Sequence, residues 1–351
     1  MKRLLTPARA AFTRAAFSLA AFSLATLILA GLAAGPAGAA DGSETVTIQD
    51  YPGTGNLLYR VAIAEGYCEK HGIDCDLQMV QSGPLGVQAL LAGSIDAALA
   101  PTEVAVMAVL KGAKIRGIIS GVRNNVFQIV ARNDLAMPNA DKGYPDFMAD
   151  LKGKKIGVPA RGSGAELQFA LLARDAGMSP RDFTFVAVGG PNTSYGALMS
   201  GQIDASMTFG TSAPMCDVLK TCRTVYLGST ATKPAAIAGT NGASGLLVVR
   251  QAMIDEKPQV VAAMIAAAED AQAFIQDPAN FERVVEITKA YFKADIPDGE
   301  AVIRETLRRA IPSYAAPISR DALRQIAANM LATKLIEAPF DTATLVHPEA
   351  P

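Results

Sequence analysis

The chain has 351 residues, half of them apolar, with 32 basic and 33 acidic side chains and a net charge of -1. That length allows about two or three domains with a sizeable core, and the lack of a basic surplus argues against a nucleic-acid partner, which needs a concentrated positive surface. With no tryptophan and 6% aromatic residues, a large carbohydrate ligand, usually held on stacked aromatic faces, is disfavoured.

Residues 1–40 contain Lys2, Arg3, Arg9 and Arg14 and no acid, so the remainder holds 28 basic against 33 acidic residues, a net of -5. A basic start, an apolar run from Ala15 to Ala34 and the small residues Ala37-Gly38-Ala39-Ala40 form a secretory signal pattern, with cleavage expected after Ala39 or Ala40. The run approaches the ~20 residues of a membrane anchor, but the small-residue tail fits a peptidase better. The leader holds no cysteine for lipid attachment, and no later segment is apolar over a spanning length. An exported, soluble product is expected.

Strands and helices then alternate. Thr45–Tyr51 alternates as a strand, Asn56–Lys70 reads as a helix, and Cys75–Gln81 as a second strand. A helix at Pro84–Ala92, a strand at Ala97–Ala100, a helix at Thr102–Lys111 and a strand at Ile115–Val122 follow. This βαβαβ order predicts parallel pairing with helices on the sheet faces. After an irregular segment at 133–150, a second series begins: strand Lys155–Val158, helix Ser163–Gly177, strand Phe183–Val188, a helix near Ser194–Ser200, then strands Ala205–Phe209 and Thr224–Leu227.

The halves share patterns. Gly93-Ser-Ile-Asp96 and Gly201-Gln-Ile-Asp204 each join a helix to a buried strand, where Gly can close the helix and Asp can bond the turn backbone. Val126–Arg132 and Gly245–Arg250 are apolar strands ending in Arg, read as the strands that carry the chain between lobes. From Pro258 onward the pattern is helical, with further helices near 279–292, 298–310 and 319–334 expected to pack on the first lobe.

The cysteines form two close pairs, Cys68/Cys75 and Cys216/Cys222, in keeping with export. Three connectivities are possible; local pairing closes the shortest loops and keeps each bridge within one half. Zinc is disfavoured, since neither pair has C-x-x-C spacing and the only histidines are His71 and His347. No cofactor is implied.

Leu91-Ala-Gly-Ser-Ile-Asp96, Leu151-Lys-Gly-Lys-Lys-Ile-Gly-Val158, Gly162-Ser-Gly164 and Leu198-Met-Ser-Gly-Gln-Ile-Asp204, with the second crossover strand near Leu247, carry a resemblance. Over residues 44–335 the chain resembles periplasmic substrate-binding proteins of ABC importers, in the branch for nitrate, sulfonate, taurine and thiamine-pyrimidine precursors. The resemblance implies an α/β, two-lobed periplasmic binding protein of type II, with two doubly wound domains joined by two crossover strands. The expected division is a signal peptide at 1–40, lobe 1 at 41–125, lobe 2 with the crossovers at 126–240, the rest of lobe 1 with C-terminal helices at 241–340, and a tail at 341–351. A periplasmic monomer holding a small molecule and delivering it to an inner-membrane ABC permease is the implied role.

Ligands of open α/β sheets bind beyond the carboxyl ends of the strands. That rule selects Tyr51, Thr54 and Asn56 after the first strand, Ser82 and Gly83 after the second, and Thr102 and Glu103 after the third. In the second half it selects Arg161, Ser163 and Gly164, then Asn192 and Thr193, then Thr208 and Phe209. Ser82-Gly83 and Ser163-Gly164 open helices whose first N–H groups are unpaired, so an oxyanion gains hydrogen bonds and a favourable dipole there. Simple N-capping is the plain alternative for both serines. Glu103 could hold an amine, or merely complement its helix dipole. Arg161 could clamp a carboxylate or sulfonate at two points, or stand solvated at the rim. Tyr51 could cover a planar or aliphatic group.

An enzyme is the rival class. There is no G-x-S-x-G elbow, and neither histidine lies near the expected cleft. A thiamine-pyrimidine-synthase-like secreted enzyme and a sensor subunit without transport are the alternatives to a receptor that closes on a small anionic or zwitterionic ligand.

Overall fold

The computed structural model describes residues 43–292, 296 and 298–351; the expected leader and its cleavage at Ala39 or Ala40 lie outside them. The strands among these residues are, in chain order, β1 (Glu44–Asp50), β2 (Ile73–Met79), β3 (Ala97–Pro101), β4 (Ile115–Val122), β5 (Gln128–Arg132), β6 (Lys155–Val158), β7 (Thr184–Ala187), β8 (Ala205–Thr208), β9 (Cys222–Leu227), β10 (Gly245–Arg250) and β11 (Tyr314–Ala315). They make two sheets, ordered β11-β4-β10-β3-β1-β2 and β7-β6-β8-β5-β9.

The expected parallel pairing holds for part of each sheet: β1 runs parallel to β2 and β3, and β6 to β7 and β8. It fails at β4, which does not touch β3. Instead β10 lies antiparallel between them, Leu247 facing Leu99 on one side and Ile119 on the other. In the second sheet β5 is inserted likewise, Ile129 facing Met207 and Tyr226. The two Arg-ended strands therefore lie within the sheet each one enters, and the chain passes between sheets at 123–127 and 228–244. A strand in mid-sheet is covered on both faces, so its apolar run is continuous and hides its direction. Leu246 and Val248 point to one core of the first lobe, Leu247 and Val249 to the other. The C-terminal helices add Val260, Met264, Ile303 and Leu307 to the latter and Leu323 and Ile326 to the former, so they do pack on the first lobe.

The repeated Gly-x-Ile-Asp turn has the same role twice. Gly93 and Gly201 close their helices with φ of 77° and 75°, which only glycine adopts without strain. Asp96 Oδ2 accepts the Thr47 N–H at 3.0 Å, and Asp204 Oδ2 accepts the Lys155 N–H at 2.9 Å, so each aspartate anchors the first parallel strand of its lobe. Arg250 completes the first copy by donating to Leu90 O and Ile95 O at 2.6 and 2.8 Å.

The helix expected over Asn56–Lys70 is broken at Gly66, whose left-handed φ of 72° separates Leu57–Ala64 from Tyr67–Lys70. Disulfides join Cys68 to Cys75 and Cys216 to Cys222, leaving no free cysteine. Each closes a short loop, so the chain-entropy account assigns about 2–2.5 kcal/mol to each bridge. Replacing the Cys68/Cys75 pair with serines is expected to lower the denaturant-unfolding free energy by about that amount without loss of folding; loss of folding would mark the bridge as a fold determinant.

Candidate ligand-binding cleft

Between the C-terminal ends of both parallel strand sets lies a cleft with a cavity volume of about 150 Å³, partly open to solvent. Its first-lobe wall begins in the loop after β1. Asp50 and Arg60 form a fully buried ion pair at 2.8 Å. Arg60 also donates to Gly53 O and Tyr51 O at 2.7 Å each, while Asp50 Oδ1 accepts the Asn56 N–H at 2.8 Å. Gly55, with φ of 55°, passes so close that a Cβ would stand 2.1 Å from Arg60 Nη2. This buried pair moulds the Tyr51–Asn56 loop, bringing Tyr51 and Thr54 to the cleft. Tyr51 donates to Leu99 O at 2.6 Å, and burial pushes its phenol well above the usual tyrosine range.

The helices Gly83–Ala92 and Gly164–Asp175 begin at the cleft, one from each lobe. Ser163 caps its helix weakly, accepting the Glu166 N–H at 3.4 Å. Ser82 is buried, yet its hydroxyl has no partner among the described residues and does not cap its helix. A buried hydroxyl without a partner costs about 1–3 kcal/mol, and here it sits at a dipole that favours negative charge.

Of the expected residues, Tyr51, Thr54, Ser82, Gly83, Ser163, Gly164 and Phe209 line the cleft. Seven others do not. Asn56 is buried beneath the loop, donating to Gln49 O. Thr102 is buried and donates to Ala243 O. Thr208 is buried with its hydroxyl on Ser212 at 3.1 Å. Thr193 bonds Gly190 O beside its helix start, and Asn192 is exposed. Arg161, expected as the anion clamp, stands exposed at the rim, bound at two points by Glu166, which also accepts the Gly162 N–H. Only four residues separate the pair along a tight turn, so the local carboxylate holds the guanidinium in this structure. Glu103, expected to hold an amine, is buried away from the cleft against Gln168; removal from water raises its pKa, and hydrogen bonds from its own backbone and Gln168 offset this in part.

Other cleft residues were not selected from sequence. Gln128 accepts the Ala213 N–H and donates to Gly210 O, holding the Phe209 loop in place. Arg309, from the helix Gly299–Ala310, reaches the cleft and pairs with Asp217 of the second lobe at 2.8 Å and Glu305 at 2.7 Å. Tyr314 lines the same wall, its phenol pushed up to about 12 by burial. Nothing local marks Arg309; its approach follows from the packing of the C-terminal helices on the first lobe.

The lobes touch around the cleft. Tyr51 and Phe209 meet edge to face at 5.9 Å between centroids. A Cβ on Gly164 would stand 2.6 Å from Pro101 Cβ, and one on Gly190 would stand 2.9 Å from Pro52 Cγ. This is a closed arrangement. Among the described residues no group of three or more His, Cys, Asp or Glu side chains could hold a metal, and no helix is long and apolar enough to cross a membrane.

Two α/β lobes, joined by two crossovers and closed on a cleft of hydroxyls, helix N-termini and apolar faces, have the architecture of the periplasmic-binding-protein fold. Residues 56–280 match the family described as NMT1/THI5 like. A relative in Brucella abortus (strain 2308), carrying the name "Putative binding protein", is 33% identical over 260 residues, covering 71% of this chain and 70% of that protein. Among solved structures, the ligand-binding component of an ABC-type import system from Staphylococcus aureus superposes with a TM-score of 0.70 at 17% identity, covering 88% of this chain and 99% of that one. The alkanesulfonate-binding protein SsuA from Xanthomonas axonopodis pv. citri gives 0.69 at 19% identity, with the same coverage. The chain belongs to the NMT1/THI5-like family, and these relatives and neighbours are binding proteins rather than enzymes.

Proposed function

We propose that this chain is the periplasmic solute receptor of an ABC importer, exported by removal of residues 1–40, and that it closes as a monomer on a small anionic or zwitterionic molecule for delivery to a permease. The observation that carries the ligand class is the unpartnered Ser82 hydroxyl at the start of Gly83–Ala92, in the same cleft as Ser163 at the start of Gly164–Asp175. Each helix start supplies free N–H groups and a positive dipole end. An oxyanion between them satisfies Ser82 and links the lobes, which shifts an open–closed balance towards closure. The ABC import component and the alkanesulfonate-binding protein that share this fold support the same assignment. With Arg161 held at the rim and Arg309 held by two carboxylates, the ligand's charge is met by backbone dipoles and hydroxyls rather than by a free cation.

Native mass spectrometry of freshly purified protein identifies a co-purified solute, and calorimetry with that solute tests the site. Ser82→Ala with Ser163→Ala is expected to weaken binding about 10–100-fold, since hydrogen bonds to charged groups contribute about 1.5–3 kcal/mol. The free protein should lose only about 1 kcal/mol, the worth of one N-cap. Unchanged affinity rejects the oxyanion site.

A further inference from the structure

Behind the cleft, three buried polar side chains connect one lobe to the other through the crossover. Glu103 opens the first-lobe helix Thr102–Leu110, and Gln168 lies on the second-lobe helix Gly164–Asp175. Gln168 Nε2 donates to Glu103 Oε1 at 2.5 Å, and Gln168 Oε1 accepts from Asn125 Nδ2 at 2.9 Å. Asn125 belongs to the first crossover: its Oδ1 accepts the Phe127 N–H, and its own N–H donates to Asn241 Oδ1 in the second crossover. Glu103, Gln168 and Asn125 are 5%, 4% and 1% exposed. Buried carboxylates ordinarily have a cation; this one has an amide.

We propose that Glu103 and Gln168 form a hinge-side clasp between the lobes, which holds the closed form while the Glu103 carboxyl is protonated and releases it when that group ionises. The groups around Glu103 come from three quarters: Leu167 and Leu171 beside Gln168, Ala236 and Thr240 of the second crossover, and Ile326, Asn329 and Met330 of the helix Arg320–Ala332. None is titratable or charged. An ionised carboxylate here has lost its water and has no counter-charge; hydrogen bonds from Gln168 and its own helix start offset only part of the cost of burial. Opening the lobes returns it to water. The closed form therefore binds the proton more tightly than the open form, and rising pH favours opening. Burial holds the carboxyl above its ordinary range in the closed form, consistent with that sign. Glu103 and Gln168 are positioning residues in this scheme; they act on the ligand only through closure.

The clasp rests on the reading that the lobes move about the crossovers, and the test separates the two. Spin labels at Leu91→Cys and Met199→Cys, exposed sites on opposite lobes, report the inter-lobe distance in ligand-free protein, since every native cysteine is in a disulfide. Across a pH titration the labelled protein is expected to show mainly a short distance at the acid end and a longer one at the alkaline end, because the carboxyl pKa is raised in the closed form. Glu103→Gln, which keeps the shape and cannot ionise, should stay short at both pH values. Gln168→Ala should show the long distance at both. If Glu103→Gln responds to pH as the parent does, the clasp is overturned while the hinge stands. A distance that is constant across all variants and pH values overturns the hinge and the clasp together.

Discussion

Asp50→Asn is expected to lower the unfolding free energy by about 3–5 kcal/mol, the cost of leaving a buried charge uncompensated. Arg60 is wholly buried, and five of its contacts depend on its planar fork: three to Asp50 and one each to the Gly53 and Tyr51 carbonyls. Removing the carboxylate charge strands the guanidinium and loosens the loop that carries Tyr51 and Thr54 into the cleft. Stability and ligand capture should therefore fall together, measured by urea unfolding and calorimetry. Arg60→Lys should not be tolerated better, because a single ammonium cannot reproduce that set of donors. A loss below about 1 kcal/mol in Asp50→Asn, the size of an exposed pair's contribution, would mean the pair is open to water and screened.

The second large effect separates stability from closure. Gly164 sits at the start of its helix, where an added methyl group would stand 2.6 and 2.7 Å from Pro101 Cβ and Cγ and 2.9 Å from Phe127 Cζ. Pro101 belongs to the first lobe. In the open protein Gly164→Ala keeps only the contact with Phe127 of its own lobe, so it should cost less there than in the closed form, with alanine's better helix propensity offsetting part of it. The closed form must absorb an overpacking cost of about 1–3 kcal/mol, which reduces solute affinity about 5–150-fold. Small-angle scattering of the free protein should report a more extended molecule than the parent. Parent-like compactness together with parent-like affinity would show that Pro101 yields, and that this contact does not limit closure.

The Ser82 and Ser163 variants probe the ligand, Gly164 probes closure, and the Glu103 variants probe what holds the closed form in the absence of ligand. A glutamate placed opposite Gln168 can act in either of two ways, as a polar contact or as a proton-sensitive one. Glu103→Gln distinguishes them because it preserves the first and removes the second. Stability should follow the same sign: with its pKa raised in the folded chain, Glu103 contributes fully below its unfolded value and loses that contribution as pH rises through the folded one.

Much of the molecule was legible from local patterning. The alternation of strands and helices, the paired Gly-x-Ile-Asp turns and the two serine-led helix starts follow from periodicity and from rules that act over a few residues. Half of the residues that the topological rule for α/β sheets selects line the cleft, because the loop after a parallel strand faces the cleft wherever that strand lies in its sheet. Tertiary structure decided the rest. The antiparallel insertion of β10 and β5 was hidden, since a strand buried on both faces carries no mark of direction or neighbour. Charge and loop position point to Arg161 and Glu103, but a charged side chain goes where its partner is: Arg161 to a carboxylate in the next turn, Glu103 to an amide on the other lobe. Arg309 came to the cleft from a helix near the other end of the chain and met Asp217 there. By itself the sequence determined two α/β halves, their turns and the loops at the carboxyl ends of the parallel strands. Only the packing of distant segments decided which polar groups face that solute, because burial, unlike helix or strand periodicity, depends on residues remote along the chain.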